Sequence, residues 1–560
     1  MTRYTAITFA PVQGFIEKSR KLRDLYGSSF ILSFLAKTLC NYITEKNGKV
    51  IVPGLRVIDP GSISNTKGVP NNIYLSGEIE PAQLKKEFDR AWKILVDTCR
   101  QHIEQEYHSY QQQPTDRSLP WKREWNLWAS HTWELFIISG EEGESFDNVR
   151  QRMSDRKQAR DWVGINWRGE SSSLSGADAI AYPNMTTYHP VSSHNADAEI
   201  KEFYQFLSES MPDKSIDPSE RLSIPELIKR LITYDAVRTQ VNNYQNSNNY
   251  KHLASIERLG SFTEIDRQEN NRWTGWFQGD GDRIGVYISS LIEKKDASQR
   301  DAQLNKFSKA MLDWGEKLQA RTSEILKEPT DNSADLHERI EGRIVYAGGD
   351  DFFGVLYRNP EDGAQLTPSE CLTRFWYKFN NDLWNKCDQP ISVSTGFVWA
   401  APNVPQRDLL QHLRETEKIA KSEGRDRLAI RILFNSGNHL DWSCPWGWLE
   451  ELLNGYSDRK NKTEGEGNWT HIYTDVATLE ARHAFRDDDS SVAQGLFKTY
   501  FPKFKIDDEV LWNEKIVPDK EYKRSIGGLL GNKPKLEKDQ IKRHNEWIIA
   551  LAKVGFHLFS

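Results

Sequence analysis

Two adjacent carboxylates, Asp350 and Asp351, follow two adjacent glycines, Gly348 and Gly349, between the apolar runs 343–347 and 352–356. Apolar runs around a short Gly/Asp segment read as a β-hairpin. The glycines let the chain turn sharply and let a phosphate come close. Two neighbouring charges cannot enter a core unless they are paired or bound to a cation. Oxygen ligands beside substrate phosphates suit Mg²⁺ or Mn²⁺. A plain turn competes with this reading, because Gly and Asp are turn residues. Asp280 and Asp282 stand two apart after a strand pattern at 273–277, and alternation puts both on one face. Asp280 is the stronger candidate for metal binding; Asp282 could instead cap the helix that follows. In the run 420–426, Lys421 falls in the last turn of a helix that Gly424 ends. Lys421 and Arg425 could reach triphosphate oxygens, or could only offset the helix dipole. Together these groups fit two-metal in-line displacement of pyrophosphate from ATP, with the protein supplying position and charge.

The elements that must hold these residues follow a recognisable order. Around the hairpin, strands are expected at 273–277, 343–347, 352–356, 391–399 and 428–434. Helices are expected at 283–293, 302–326, 367–386 and 406–423. That succession contains the split βαβ of a ferredoxin-like palm. Upstream, a strand at 5–9, a long helix over 13–43 and a strand at 133–139 make a first α/β unit. The fold class is therefore α+β and multidomain, with a first α/β unit, a ferredoxin-like palm and two helical domains. The expected boundaries are 1–150, 151–270, 271–437 and 438–560.

The 560 residues exceed one hydrophobic core. With 38% hydrophobic and 28% charged residues, the chain can fold throughout. A net charge of −6 argues against bulk electrostatic coating of nucleic acid but allows a local basic groove. Nineteen tryptophans read first as packing groups. The basic residues Arg152, Arg156, Lys157 and Arg160 read first as a solvated helix face and second as an RNA or subunit contact. Five cysteines lack Cys-x-x-Cys spacing, which fits a reducing, cytoplasmic setting and gives no zinc motif. No membrane span is expected, since the apolar stretch 30–43 is too short.

In combination, the motifs resemble the large polymerase/cyclase subunit of type III CRISPR effector complexes, most closely its Cmr (type III-B) branch. The resemblance rests on 10–16 and 19–28, on Glu220-Arg221-Leu222 with Ile228-Lys229-Arg230, on 280–285, on Val345 to Asp351, and on 420–425 with Asn435-Ser436-Gly437. It implies that both α/β units are ferredoxin-like, nucleotidyl cyclase-like palms. It implies an RNA-activated enzyme that makes cyclic oligoadenylates from ATP beside sibling subunits, guide RNA and target RNA. It places metals on Asp280, Asp350 and Asp351. It brings Gly348, Gly349, Ser308, Lys421 and Arg425 to ATP, and Gly27 and Ser28 of a non-catalytic first palm to a second ATP. None of the 13 histidines precedes an Asp, so the family's His-Asp nuclease is not expected. Ser172-Ser173-Leu174-Ser175-Gly176 stands where the family carries Cys-x-x-Cys, so its zinc element is expected to be lost. Two alternatives remain open: the same chemistry joining AMP to S-adenosylmethionine, and a mainly structural RNA-binding scaffold.

Overall fold

The computed structural model describes residues 3–55, 68–111, 118–159, 167, 169–185, 193–211, 215–247, 250–259, 265, 271–326, 340–358, 365–459, 468–504, 508–512 and 528–559. Arg160 lies outside them. The chain forms two compact units, Met1–Glu264 with Ser289–Leu312, and Ile265–Ile288 with Asp313–Ser560.

The first unit is built on an antiparallel sheet of β1 (Tyr4–Ala10), β2 (Lys49–Val52), β3 (Ile73–Ser76) and β4 (Glu134–Ser139), in the order β2-β3-β1-β4. Helices Leu22–Glu45 and Pro81–Gln111 place Phe30, Leu35, Phe88 and Leu95 in one core with Ile7, Phe9 and Ile73. The expected long first helix is instead two, Val12–Glu17 and Leu22–Glu45. Asp24 restarts it by accepting the backbone N–H of Lys21 at 3.2 Å.

Asp24 also receives the buried Arg230 guanidinium bidentately, at 2.6 and 2.9 Å, from helix Ile224–Leu231. Glu220 takes a further Arg230 nitrogen at 2.9 Å. Buried charge survives only with such pairing. Pairing holds Asp24 below the ordinary carboxylate range: burial pushes the other way, and Arg230 outweighs it. Nearby, Ser172 and Ser175 meet at 3.1 Å between hydroxyls, and both donate to Glu226 Oε1. A carboxylate ties this turn together.

The second unit carries β5 (Thr274–Gly281), β6 (Ile340–Gly348), β7 (Asp351–Arg358), β8 (Val393–Ala400), β9 (Arg427–Leu433) and β10 (His439–Pro445). Their order is β10-β9-β8-β5-β7-β6, antiparallel except for β8 with β9. The four strands β8-β5-β7-β6 repeat the arrangement of the first sheet, each with the first strand between the third and fourth. Both sheets are thus ferredoxin-like. Helix Gln406–Ser422 makes the parallel crossover from β8 to β9.

Phe277, Phe352, Phe375, Trp376, Phe379 and Trp384 are buried and lie ring against ring. Burying each is worth about 1.5–3 kcal/mol. Trp442, Trp446, Trp512 and Trp547 are also buried, which supports packing over base stacking.

Candidate active site

The site begins at the β6–β7 turn. Gly348 pairs with Asp351, so the loop is only Gly349 and Asp350. Gly349 has φ 69°, a left-handed value that a two-residue hairpin demands and glycine adopts freely. Asp350 therefore projects at the tip and Asp351 opens β7. Gly281, at the end of β5, comes up beside them: a Cβ there would lie 3.0 Å from the Asp350 Cβ. Its N–H points at the Asp350 carbonyl, 3.3 Å away. Strand pairing thus fixes Asp280 next to both hairpin carboxylates.

Three carboxyls at this spacing cannot all ionise cheaply. Loss of water, followed by the charge of Asp280, pushes Asp350 up to about 7. Asp351 keeps an exposed edge but stands in dense protein. Desolvation, then its hydrogen bond with Asp280, raises it well above the carboxylate range. Tyr346 is raised by burial and by the same two aspartates.

Lys421 supplies the one ammonium described among them. It contacts Asp280 and, at 2.5 Å, Glu417 Oε1, one helical turn back. Burial opposes its charge, yet bonds to Asp280 and Glu417 hold its pKa above the ordinary lysine range. Gln278, two residues before Asp280 on β5, donates to Glu417 Oε2 at 2.9 Å.

Not every expected residue joins this cluster. Asp282 does share the sheet face of Asp280, but its carboxylate is already fully engaged. It accepts from Ser392 Oγ (2.8 Å), Ser394 Oγ (2.6 Å), the Asp426 N–H (2.9 Å) and Arg425 Nη1 (3.3 Å). It pins the loop after helix Gln406–Ser422. Arg425 is held by that pairing, in a loop where Gly424, Arg425 and Asp426 all have positive φ. Such strain persists only where surrounding contacts enforce it.

Ser308 belongs to the first unit. It is buried there and accepts the Gly54 N–H at 2.9 Å. Gly27 is also in the first unit, where a Cβ would lie 1.8 Å from the Lys229 carbonyl oxygen. Ser28 is buried and donates to the Asp24 carbonyl at 2.8 Å. In this structure Ser308 and Ser28 make these hydrogen bonds, and Gly27 allows that close approach.

Sequence reasoning missed Glu417, Gln278 and Tyr346. Two of them carried a signal: Glu417 is four residues before Lys421, the favoured order for a helical ion pair, and Gln278 shares the strand parity of Asp280.

The donor set fits a hard divalent cation. Asp280, Asp350 and Asp351 offer oxygens only, and their mutual repulsion is what such a cation relieves. Among the described residues no group of three or more His, Cys, Asp or Glu forms a ready cage. An open set of this kind suits a cation that also takes phosphate oxygens.

Comparison with known proteins agrees with this geometry. The second palm domain of the Cas10/Cmr2 family matches residues 274–429, which hold every carboxylate of the cluster. The N-terminal domain of the CRISPR-associated protein Cmr2 matches residues 4–97. Both matched stretches are Cas10/Cmr2-family domains. A curated relative from Thermococcus onnurineus, the CRISPR system single-strand-specific deoxyribonuclease Cas10/Csm1 of subtype III-A, is 26% identical over 204 residues. That match covers 36% of this chain and only 24% of the relative's length. A type III-B Cmr-beta structure in the apo state aligns with 99% of this chain and 82% of its own, at 12% identity and TM-score 0.51, and so shares its fold. A Csm1–Csm4 cassette solved with cA4 aligns over 100% and 70% at 15% identity, with TM-score 0.46. Among the described residues no helix is long and apolar enough to cross a membrane.

Proposed function

We propose that this chain is a Cas10/Cmr2-family, metal-dependent nucleotidyltransferase that converts ATP to cyclic oligoadenylates within a cytoplasmic type III-B CRISPR effector. Its partners in this reading are sibling subunits, guide RNA and the target RNA that activates it. The observation that carries the reading is the cluster of Asp280, Asp350 and Asp351 with Lys421, at the open tip of a palm sheet.

Asp280, Asp350 and Asp351 would hold Mg²⁺ or Mn²⁺. The bound cations would supply charge to the α-phosphate and lower the pKa of an attacking ribose hydroxyl. The chain does the rest. Gly348 and Gly349 leave the hairpin tip without side-chain bulk, so phosphates can approach. Lys421 offers a positive charge to oxygens of the departing pyrophosphate. The aromatic layer beneath β5 and β7 keeps the carboxylates from moving apart, which preserves their orientation toward the reacting phosphorus.

Product analysis tests this reading. The reconstituted complex would be given Mg²⁺, ATP, S-adenosylmethionine and matching target RNA, with an Asp350→Ala/Asp351→Ala control, and its products read by mass spectrometry. Cyclic adenylates that vanish in the control support the proposal. An adenylated S-adenosylmethionine would keep the site and change the acceptor. No nucleotide product from an assembled, target-bound complex would leave a scaffold.

A further inference from the structure

One ammonium in this site is shared by two carboxylates that belong to different parts of the fold. Asp280 sits on β5 and Glu417 on helix Gln406–Ser422, and Lys421 touches both. Asp280 is also a member of the carboxylate cluster, whereas Glu417 has a fixed and separate anchor. It is buried, and its second oxygen accepts from Gln278 Nε2 at 2.9 Å. The chain of contacts therefore runs Gln278 to Glu417 to Lys421 to Asp280, leaving β5 and returning to it two residues later.

This geometry sets up a competition. Asp280 cannot give full charge to the Lys421 ammonium and to a divalent cation at once, and the two cations repel. Lysine is a compact charge on a flexible stem with three donors, so it can release one acceptor and keep another. Glu417, one turn away on the same helix, is placed to keep it.

Resting on the nucleotidyltransferase reading, we propose that Lys421 competes with the divalent cation for Asp280, and that Glu417 is the positioning residue that retains Lys421 when the cation takes Asp280. The charge for phosphate then stays in the site instead of leaving it. Glu417 acts through Lys421 and touches neither substrate nor metal.

The test is a Mn²⁺ titration of the full chain, read as loss of the free-ion signal by electron paramagnetic resonance, without nucleotide. Four proteins are compared: wild type, Lys421→Met, Glu417→Gln and the double variant. Removing the competing charge at this range should tighten Mn²⁺ by about tenfold in Lys421→Met. Glu417→Gln leaves Lys421 with Asp280 alone and should weaken Mn²⁺ about threefold or more. The double variant should return to the affinity of Lys421→Met, because Glu417 has nothing left to retain. A merely structural Glu417 would give the same loss whatever stands at 421, and that result overturns the proposal. So does a Lys421→Met that binds Mn²⁺ no more tightly than wild type. If Mn²⁺ binds and is lost in Asp350→Ala/Asp351→Ala while Lys421→Met is unchanged, only this inference fails. If wild type binds no Mn²⁺, the reading of the site fails with it.

Discussion

Asp282 and Asp350 are close in the sheet and chemically identical, yet their removal should move stability in opposite directions. Asp282 accepts four donors, one of them a guanidinium. Asparagine keeps a single oxygen and turns an N–H₂ toward donors. At about 1.5–3 kcal/mol for bonds to a charged group, and with some donors rescued, Asp282→Asn should cost about 3 kcal/mol. Asp350 is the reverse case. Its pKa in the folded protein is raised from 3.8 to about 7, so the folded state binds its proton more tightly than the unfolded chain. That advantage is complete below the unfolded pKa and disappears as pH climbs through the folded one. At pH 8 the penalty has a ceiling of about 4 kcal/mol at 1.36 kcal/mol per unit. Asp350 is partly open to solvent and near Lys421, so roughly 1–2 kcal/mol is expected. Asp350→Asn should therefore raise the thermal midpoint by about 2–8 °C at pH 8 in EDTA, and Asp282→Asn should lower it by about 6–12 °C. The Asp350→Asn gain should shrink steadily toward pH 5.5. A stabilised Asp282→Asn, or an Asp350→Asn that destabilises equally at both pH values, would refute the division of these aspartates into structural and functional.

Mn²⁺ or Mg²⁺ should raise the midpoint of the wild type more at pH 8 than at pH 6, because the cation displaces protons from Asp350 and Asp351; Asp350→Ala/Asp351→Ala should show no such gain by scanning fluorimetry. Gly349→Ala forces a side chain into a left-handed turn position and should cost about 1–2 kcal/mol, with a loss of nucleotide turnover larger than the loss of fold measured by urea denaturation. Arg230→Met strands Asp24 and Glu220 in the first unit and should cost about 3–5 kcal/mol; adding Asp24→Asn should recover part of it in the same denaturation assay.

The palm around the hairpin was legible because its strands are long, apolar and bounded by Gly and Asp. β6 and β7 begin and end within a few residues of the pattern. β2 and β3 were not legible: each is four residues long, too short for alternation to stand out. β10 was hidden for another reason. His439, Asp441 and Ser443 alternate with Leu440, Trp442 and Cys444, a strand signal masked by the helical pattern that follows, and Arg431 of β9 takes Asp441 bidentately across the strands. At the site, the adjacent aspartates announced themselves, and strand parity placed Asp280 on the right face. Parity could not say that Asp282 is saturated by Ser392, Ser394 and the loop at 425–426, since those partners come from over a hundred residues away. Gly27 shows the same limit: its identity answers to the close passage of the chain at Lys229.

The most direct test of the central claim is pyrophosphate release from ATP by the target-bound complex, since it reports transfer of AMP whatever the acceptor. The account predicts steady release by the wild type that requires Mg²⁺ or Mn²⁺ and falls to background in Asp350→Ala/Asp351→Ala. Release that persists in that variant, or none from the assembled wild type, would contradict it.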